Sequence, residues 1–192
     1  GIHYIDLMRF ISGAVPLRVL ASGQKNLLAN KKIDTYDSIQ CLIEWEMPNK
    51  KIFNQTILTN WIDPETSSAM SDQSLKVIGT KGRYEADQKN RGIMLNTDLT
   101  GIEHINPDFC FPITHNDGIT KWQGYGIDSI VSFLNDVTEI ESGKSSISDF
   151  ELIRPTFSES LISSAIIDYA NKSLQRGGVW QSIVFDDEDL GS

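Results

Sequence analysis

Tyr36-Asp-Ser-Ile-Gln-Cys-Leu-Ile-Glu-Trp-Glu-Met-Pro-Asn-Lys-Lys-Ile-Phe-Asn-Gln-Thr-Ile-Leu-Thr-Asn-Trp61 is the stretch that decides the class of fold. Ile39, Cys41, Ile43 and Trp45 fall on one parity; Ser38, Gln40, Leu42 and Glu44 fall on the other. A period of two predicts a strand with one buried face. Leu42 is the one apolar residue out of phase. Pro48-Asn49-Lys50 reads as a turn, and residues 52–61 alternate again. The two runs therefore predict a hairpin.

Downstream, residues 63–72 are Ser-rich, contain Pro64 and read as a loop. Strands are expected over 73–80, 83–87, 92–97 and 101–106, with turns at 79–82 and 88–90. Residues 107–122 hold Pro107, Pro112 and Asn116-Asp117-Gly118 without a clear period, and read as a long loop or short edge strands. Ile127, Ile130, Val131, Leu134 and Val137 then fit one face of a helix that Gly143 ends. Thr156 and Glu159 have the spacing of a capping box. Behind them, Leu161, Ile162, Ala165, Ile166, Tyr169, Ala170 and Leu174 form an apolar stripe, and Gly177-Gly178 stops the helix. Residues 179–185 alternate as a last strand, and the acidic residues 186–192 read as a frayed tail.

Upstream, residues 24–34 are polar and read as a loop, and 17–22 as a short strand. Residues 2–12 carry Ile2, Ile5, Met8 and Ile11 at helical spacing, with Gly13 as a C-cap and Pro16 preventing continuation. The chain opens on this helix at Gly1, which reads as the start of a segment cut from a longer protein. The order of elements predicts α+β: an open, mostly antiparallel sheet with helices packed on one face. Ile, Trp and Leu on both parities lead us to expect a partner on the other face.

The 192 residues are 40% hydrophobic and 22% charged, with 17 Lys and Arg against 26 Asp and Glu. A net charge of -9 opposes the phosphate backbone of nucleic acid and anionic lipid, so neither is an expected partner. No apolar run approaches the ~18 residues of a membrane span. Two cysteines, Cys41 and Cys110, are too few for a disulfide framework, and a reducing, cytoplasmic setting is expected. No Gly-x-Gly-x-x-Gly fingerprint occurs, and Gly79-Thr80-Lys81-Gly82 sits between two strands, where a hairpin turn fits better than a phosphate loop. His3, His104 and His115 are scattered, without metal-ligand spacing, so no metal site is expected.

The compact polar group is His3-Tyr-Ile-Asp6. Residues three apart on a helix share a face. The helix dipole disfavours an imidazolium in a first turn, which suits the His3 ring to exchange protons. Asp6 has two readings, one orienting His3 and one simply favoured near a helix N-terminus.

Gly1-Ile-His-Tyr-Ile-Asp-Leu-Met-Arg-Phe-Ile-Ser-Gly13 resembles the motif that opens the C-terminal domain in the glucose-fructose oxidoreductase, inositol dehydrogenase and rhizopine-catabolism (Gfo/Idh/MocA) family. The Val77-Ile-Gly-Thr-Lys-Gly-Arg-Tyr-Glu85 hairpin resembles the family's sheet, and residues 125–133 with Arg154-Pro-Thr-Phe157 and the helix behind them resemble its closing section. Asn60-Trp61 and Asp87-Gln-Lys-Asn-Arg-Gly92 are similar to a subgroup of dehydrogenases. The resemblance spans nearly the whole chain. It implies a dihydrodipicolinate-reductase-like C-terminal domain over residues 1–185, a tail at 186–192, and an N-terminal Rossmann domain that is absent from the chain.

The same resemblance implies that His3 matches the catalytic histidine, which exchanges a proton with the substrate hydroxyl during hydride transfer. The family's aspartate, four residues before that histidine, would precede Gly1. Its lysine and its Gly-rich fingerprint belong to the dinucleotide domain. The expected function is that of the substrate-binding and oligomerisation domain of an NAD- or NADP-dependent oxidoreductase acting on a sugar, polyol or cyclitol. The isolated chain is expected to be inactive and to bind no dinucleotide tightly. A homo-oligomer, dimer or tetramer, is expected through the open sheet face. Asp6, Tyr125 and Arg91 are candidates for substrate contact; a structural tyrosine and a solvated edge arginine stand as the other readings of the last two. Trp61 and Trp180 read as sheet or interface packing, and Lys81 as a turn lysine. Two alternatives stand beside this one. One is a non-enzymatic oligomerisation or carbohydrate-binding module of the same fold, and the other is an unrelated α+β interaction domain with a chance His-x-x-Asp.

Overall fold

Ile5 and Met8, one turn apart, direct one side of the first helix into the core. The structure is a computed structural model that describes residues 1–63, 73–87, 92–105, 110–151 and 153–185. The first helix, α1 (Ile2–Ser12), ends at Gly13, whose φ of 62° suits a residue without a Cβ. The Gly13 N–H donates to the Arg9 carbonyl at 2.8 Å. Next come β1 (Val15–Gln24), the short α2 (Leu27–Asn30), β2 (Ser38–Glu46) and β3 (Ile52–Asn60). β1 is longer than expected and takes in Pro16, next to a register shift between Pro16 and Arg18 where the missing N–H breaks no regular ladder.

Residues 24–34 are not all loop, because α2 lies within them. Its signal is remote. The buried Asp37 carboxylate accepts the backbone N–H groups of Asn26, Leu27 and Leu28, each at 2.8 Å. Those bonds take up donors that a helix start leaves unpaired. Gly23 is required nearby, since a Cβ there would sit 2.5 Å from the Tyr36 ring.

In the hairpin, Ile43 lies opposite Gln55 and Trp45 opposite Phe53. Trp45 stacks on Phe53 with ring centroids 6.2 Å apart. The row Cys41, Ile43 and Trp45 faces inward, with Ile43 and Trp45 fully buried. The single buried face expected of this hairpin is therefore the Ile43 and Trp45 row, while the outer face keeps Ile52 and no Trp. Its outer face carries Leu42, paired with Leu20 across the ladder, together with the exposed Leu58. Leu42 is out of phase because it belongs to that outer row.

The segments 74–78, 82–87, 92–97 and 101–105 become β4 (Ser74–Ile78), β5 (Gly82–Asp87), β6 (Gly92–Thr97) and β7 (Gly101–Ile105), an antiparallel meander. The Gly79 N–H donates to the Gly82 carbonyl at 2.8 Å, the closure of a hairpin turn. The region read as loop or edge strands resolves into a second hairpin, β8 (Cys110–Thr114) and β9 (Thr120–Gly124). Asp117 and Gly118, with φ 80°, shape its turn. α3 (Tyr125–Glu141) and α4 (Ile147–Glu151) follow.

α5 (Phe157–Gln175) starts in the expected capping box: Thr156 Oγ1 accepts the Glu159 N–H, and the Glu159 carboxylate accepts the Thr156 N–H. Ile166 and Ala170 carry its stripe into the core. Ser173, fully buried, accepts the Ala21 N–H at 2.9 Å and donates to the Val179 carbonyl at 2.7 Å. The final strand is only β10 (Gln181–Ser182), shorter than the alternation predicted, and it borders β1 in the order β10-β1-β2-β3.

The chain divides into two compact units, residues 1–65 with 155–192, and residues 66–154. In the first, α1 and α5 contribute Ile5, Ile166 and Ala170 to the same core as Val19, Ala21, Ile43, Trp45 and Ile57 of the sheet. The fold is α+β with antiparallel open sheets. Residues 64–72 of the loop expected over 63–72, the turn at 88–90, Arg91 and the tail at 186–192 lie outside the described residues.

Candidate functional site

His3 stands exposed on the first turn of α1. The Tyr4 and Ile5 N–H groups both donate to the Gly1 carbonyl, at 3.1 and 3.4 Å, and close that turn around it. Ile5, 2% exposed, anchors the same turn in the core. The imidazole is thus presented to solvent from a backbone fixed on its inner side.

Asp6 is exposed and pairs with Arg9, Oδ1 to Nε at 3.8 Å. Gly1 holds the N-cap position of α1, with no side-chain cap bond. Arg9 also reaches the Glu159 carboxylate at 3.2 Å. Glu159 is held below the usual carboxylate range by the Thr156 backbone N–H and, next, by the Arg9 guanidinium. Arg9 therefore links the helix that carries His3 to the N-terminus of α5. Removing its charge would loosen that link, although exposed pairs of this kind contribute only about 1 kcal/mol or less.

A second support runs through the sheet. Gln55 lies in the inward row of β3 between Phe53 and Ile57. Its Oε1 accepts the Trp45 indole N–H at 3.1 Å, and its Nε2 donates to the Tyr4 carbonyl at 2.8 Å. Neither Gln55 nor Arg9 was expected from sequence as part of the site. The available signal for Gln55 was a polar residue interrupting an inward apolar row.

Tyr125 opens α3, in the second unit, and its side chain is largely exposed. Arg91 lies outside the described residues. The structure brings His3 and Asp6 onto one helix turn and its successor. Trp180 is half-buried under the Arg18 guanidinium, 4.5 Å from the ring centroid, and Arg18 pairs with Glu44 at 2.8 Å. Trp61 is exposed, and its backbone N–H donates to the Asp37 carbonyl. Lys81 lies in the turn between β4 and β5, where its carbonyl accepts the Asp98 N–H. Burial pushes the Cys41 thiol up from its ordinary value, opposite to what a reactive cysteine needs.

Among the described residues, no group of three or more His, Cys, Asp or Glu side chains is placed to hold a metal. No described helix is long and apolar enough to cross a membrane. The phosphate-loop-like segment Gly79 to Gly82 is a hairpin turn rather than the start of a helix, so that segment offers no cradle for a pyrophosphate.

No protein-family profile matches the chain, and no curated protein matches its sequence. Solved structures do match its fold. An inositol dehydrogenase homolog from Azotobacter vinelandii, complexed with NADH and myo-inositol, superposes with a TM-score of 0.62 at 16% identity, over 95% of this chain and 48% of that one. Aldose-aldose oxidoreductase from Caulobacter crescentus, complexed with glycerol, gives 0.57 at 16% identity, over 95% and 46%. A super-repressor mutant of Gal80p from Saccharomyces cerevisiae gives 0.57 at 12% identity, over 94% and 47%. The chain spans about half the length of these proteins. It has the fold of the C-terminal domain of Gfo/Idh/MocA-type oxidoreductases.

Proposed function

We propose that this chain is the substrate-binding and oligomerisation domain of an NAD- or NADP-dependent oxidoreductase acting on a sugar, polyol or cyclitol hydroxyl. The observation that carries the reading is His3, exposed on the first turn of a helix whose inner side is anchored. That helix opens a fold also met in an inositol dehydrogenase homolog and an aldose-aldose oxidoreductase. The nicotinamide, held by a domain outside these residues, is the hydride acceptor in this reading. The step assigned to this chain is the proton: the substrate hydroxyl donates it to a His3 ring nitrogen as the alcohol becomes a carbonyl. Asp6, one turn along the same helix, is a proposed substrate contact. The outer sheet face, with Leu20, Leu42 and Leu58, is proposed as the contact between copies.

A second reading, a non-enzymatic module of the same fold, is favoured by one observation: a repressor protein shares the architecture. One measurement tests where the cofactor binds, and a second separates the two readings. Calorimetric titration of this chain with NADH and NADPH is expected to give no tight binding, and tight binding would contradict the placement of the cofactor elsewhere. The complete protein is expected to reduce one of the dinucleotides when offered a panel of sugars, polyols and cyclitols. Dinucleotide binding without turnover on any of them would favour the module.

A further inference from the structure

The reading of His3 as proton acceptor leaves open what fixes its geometry. Apolar burial of Ile5 keeps α1 on the sheet, but apolar contact has no direction and does not fix the helix's rotation or axial position. A hydrogen bond does. Gln55 supplies one, from Nε2 to the Tyr4 carbonyl at 2.8 Å. The orientation of its amide is determined, because the Trp45 indole can only donate and the Tyr4 carbonyl can only accept. The far end is held by packing: Trp45 is fully buried and stacked on Phe53. Gln55 itself is only 7% exposed, and a buried amide that loses either partner is destabilised. The carbonyl it holds belongs to the residue after His3, within the hydrogen-bonded turn closed on Gly1.

We infer that Gln55 is a positioning residue for His3, transmitting the rigidity of the Trp45–Phe53 stack to the first turn of α1. This inference rests on the catalytic reading of His3. A displacement of about 1 Å at a catalytic group can cost roughly 100-fold in rate, so the bond has leverage on turnover.

The test uses two variants in the complete enzyme, with His3→Asn as reference. Gln55→Met keeps length and volume but neither hydrogen bond; kcat is expected to fall roughly 10- to 100-fold with the dinucleotide KM unchanged. Gln55→Glu can donate to the Tyr4 carbonyl only when protonated, and burial raises the pKa of such a carboxyl. Its kcat is expected to recover toward acid pH relative to Gln55→Met, with melting curves confirming a folded protein at each pH. Parental kcat in Gln55→Met while His3→Asn is inactive would overturn the inference, and so would matching pH profiles for the two Gln55 variants. Turnover retained in His3→Asn would instead overturn the catalytic reading, and the inference with it. In this 192-residue chain, the backbone amide signals of His3 and Tyr4 are expected to broaden or double in Gln55→Met; unchanged sharp signals would contradict the positioning role directly.

Discussion

Asp37 shows how one side chain can organise a segment ten residues away. Its carboxylate is 2% exposed and accepts three backbone N–H groups, which hold its pKa below the usual aspartate range, the Leu28 bond foremost. The sign follows from that depression. The unfolded chain takes up a proton near pH 4, while the folded chain holds it off until lower pH, so the folded state gains stability as pH rises through that window. Asp37→Asn keeps one acceptor oxygen and loses the charge. It is expected to lower the urea midpoint at pH 7, with the gap to the parent closing as pH falls below about 4. A gap that stays constant with pH would contradict the assignment. The placement of His3 one turn from Asp6 was legible at this scale because it follows from helix spacing. Gln55 and Asp37 were not, because their partners lie 51 and about 10 residues away and leave no local period.

At the scale of elements, α1, α5 and the Trp45 hairpin were readable because their signals are local: an apolar period, a glycine stop, and Thr156 three residues before Glu159. α2 was missed because its N-terminal partner is remote, and β10 was overextended because alternation continues past the point where β1 offers a ladder. The parity of the hairpin was readable, but not which parity faced α1 and α5. The structure puts Ile43 and Trp45 inside, leaving Leu20, Leu42 and Leu58 outside beside the Arg18–Glu44 pair. If that face joins two copies, Leu58→Asp places a charge in an apolar contact. Sedimentation at tens of micromolar, on the order of weak interface affinities, is expected to show a dimer for the parent and a monomer for the variant. A monomeric parent would contradict the proposed contact.

At the scale of the whole molecule, the α+β class followed from the order of elements, and the architecture matches the C-terminal domain of much longer oxidoreductases. The division into two units was not read from the sequence, because the Ser-rich stretch with Pro64 was taken for a loop within one domain. The account turns on the proposed role of His3 as proton acceptor. The most direct test is dinucleotide reduction by the complete protein with His3→Asn, using the best substrate of the sugar and polyol panel. The account predicts a fall in kcat of about 10²- to 10⁴-fold, the usual contribution of a general base, with dinucleotide affinity unchanged. Turnover at the parental rate would contradict it.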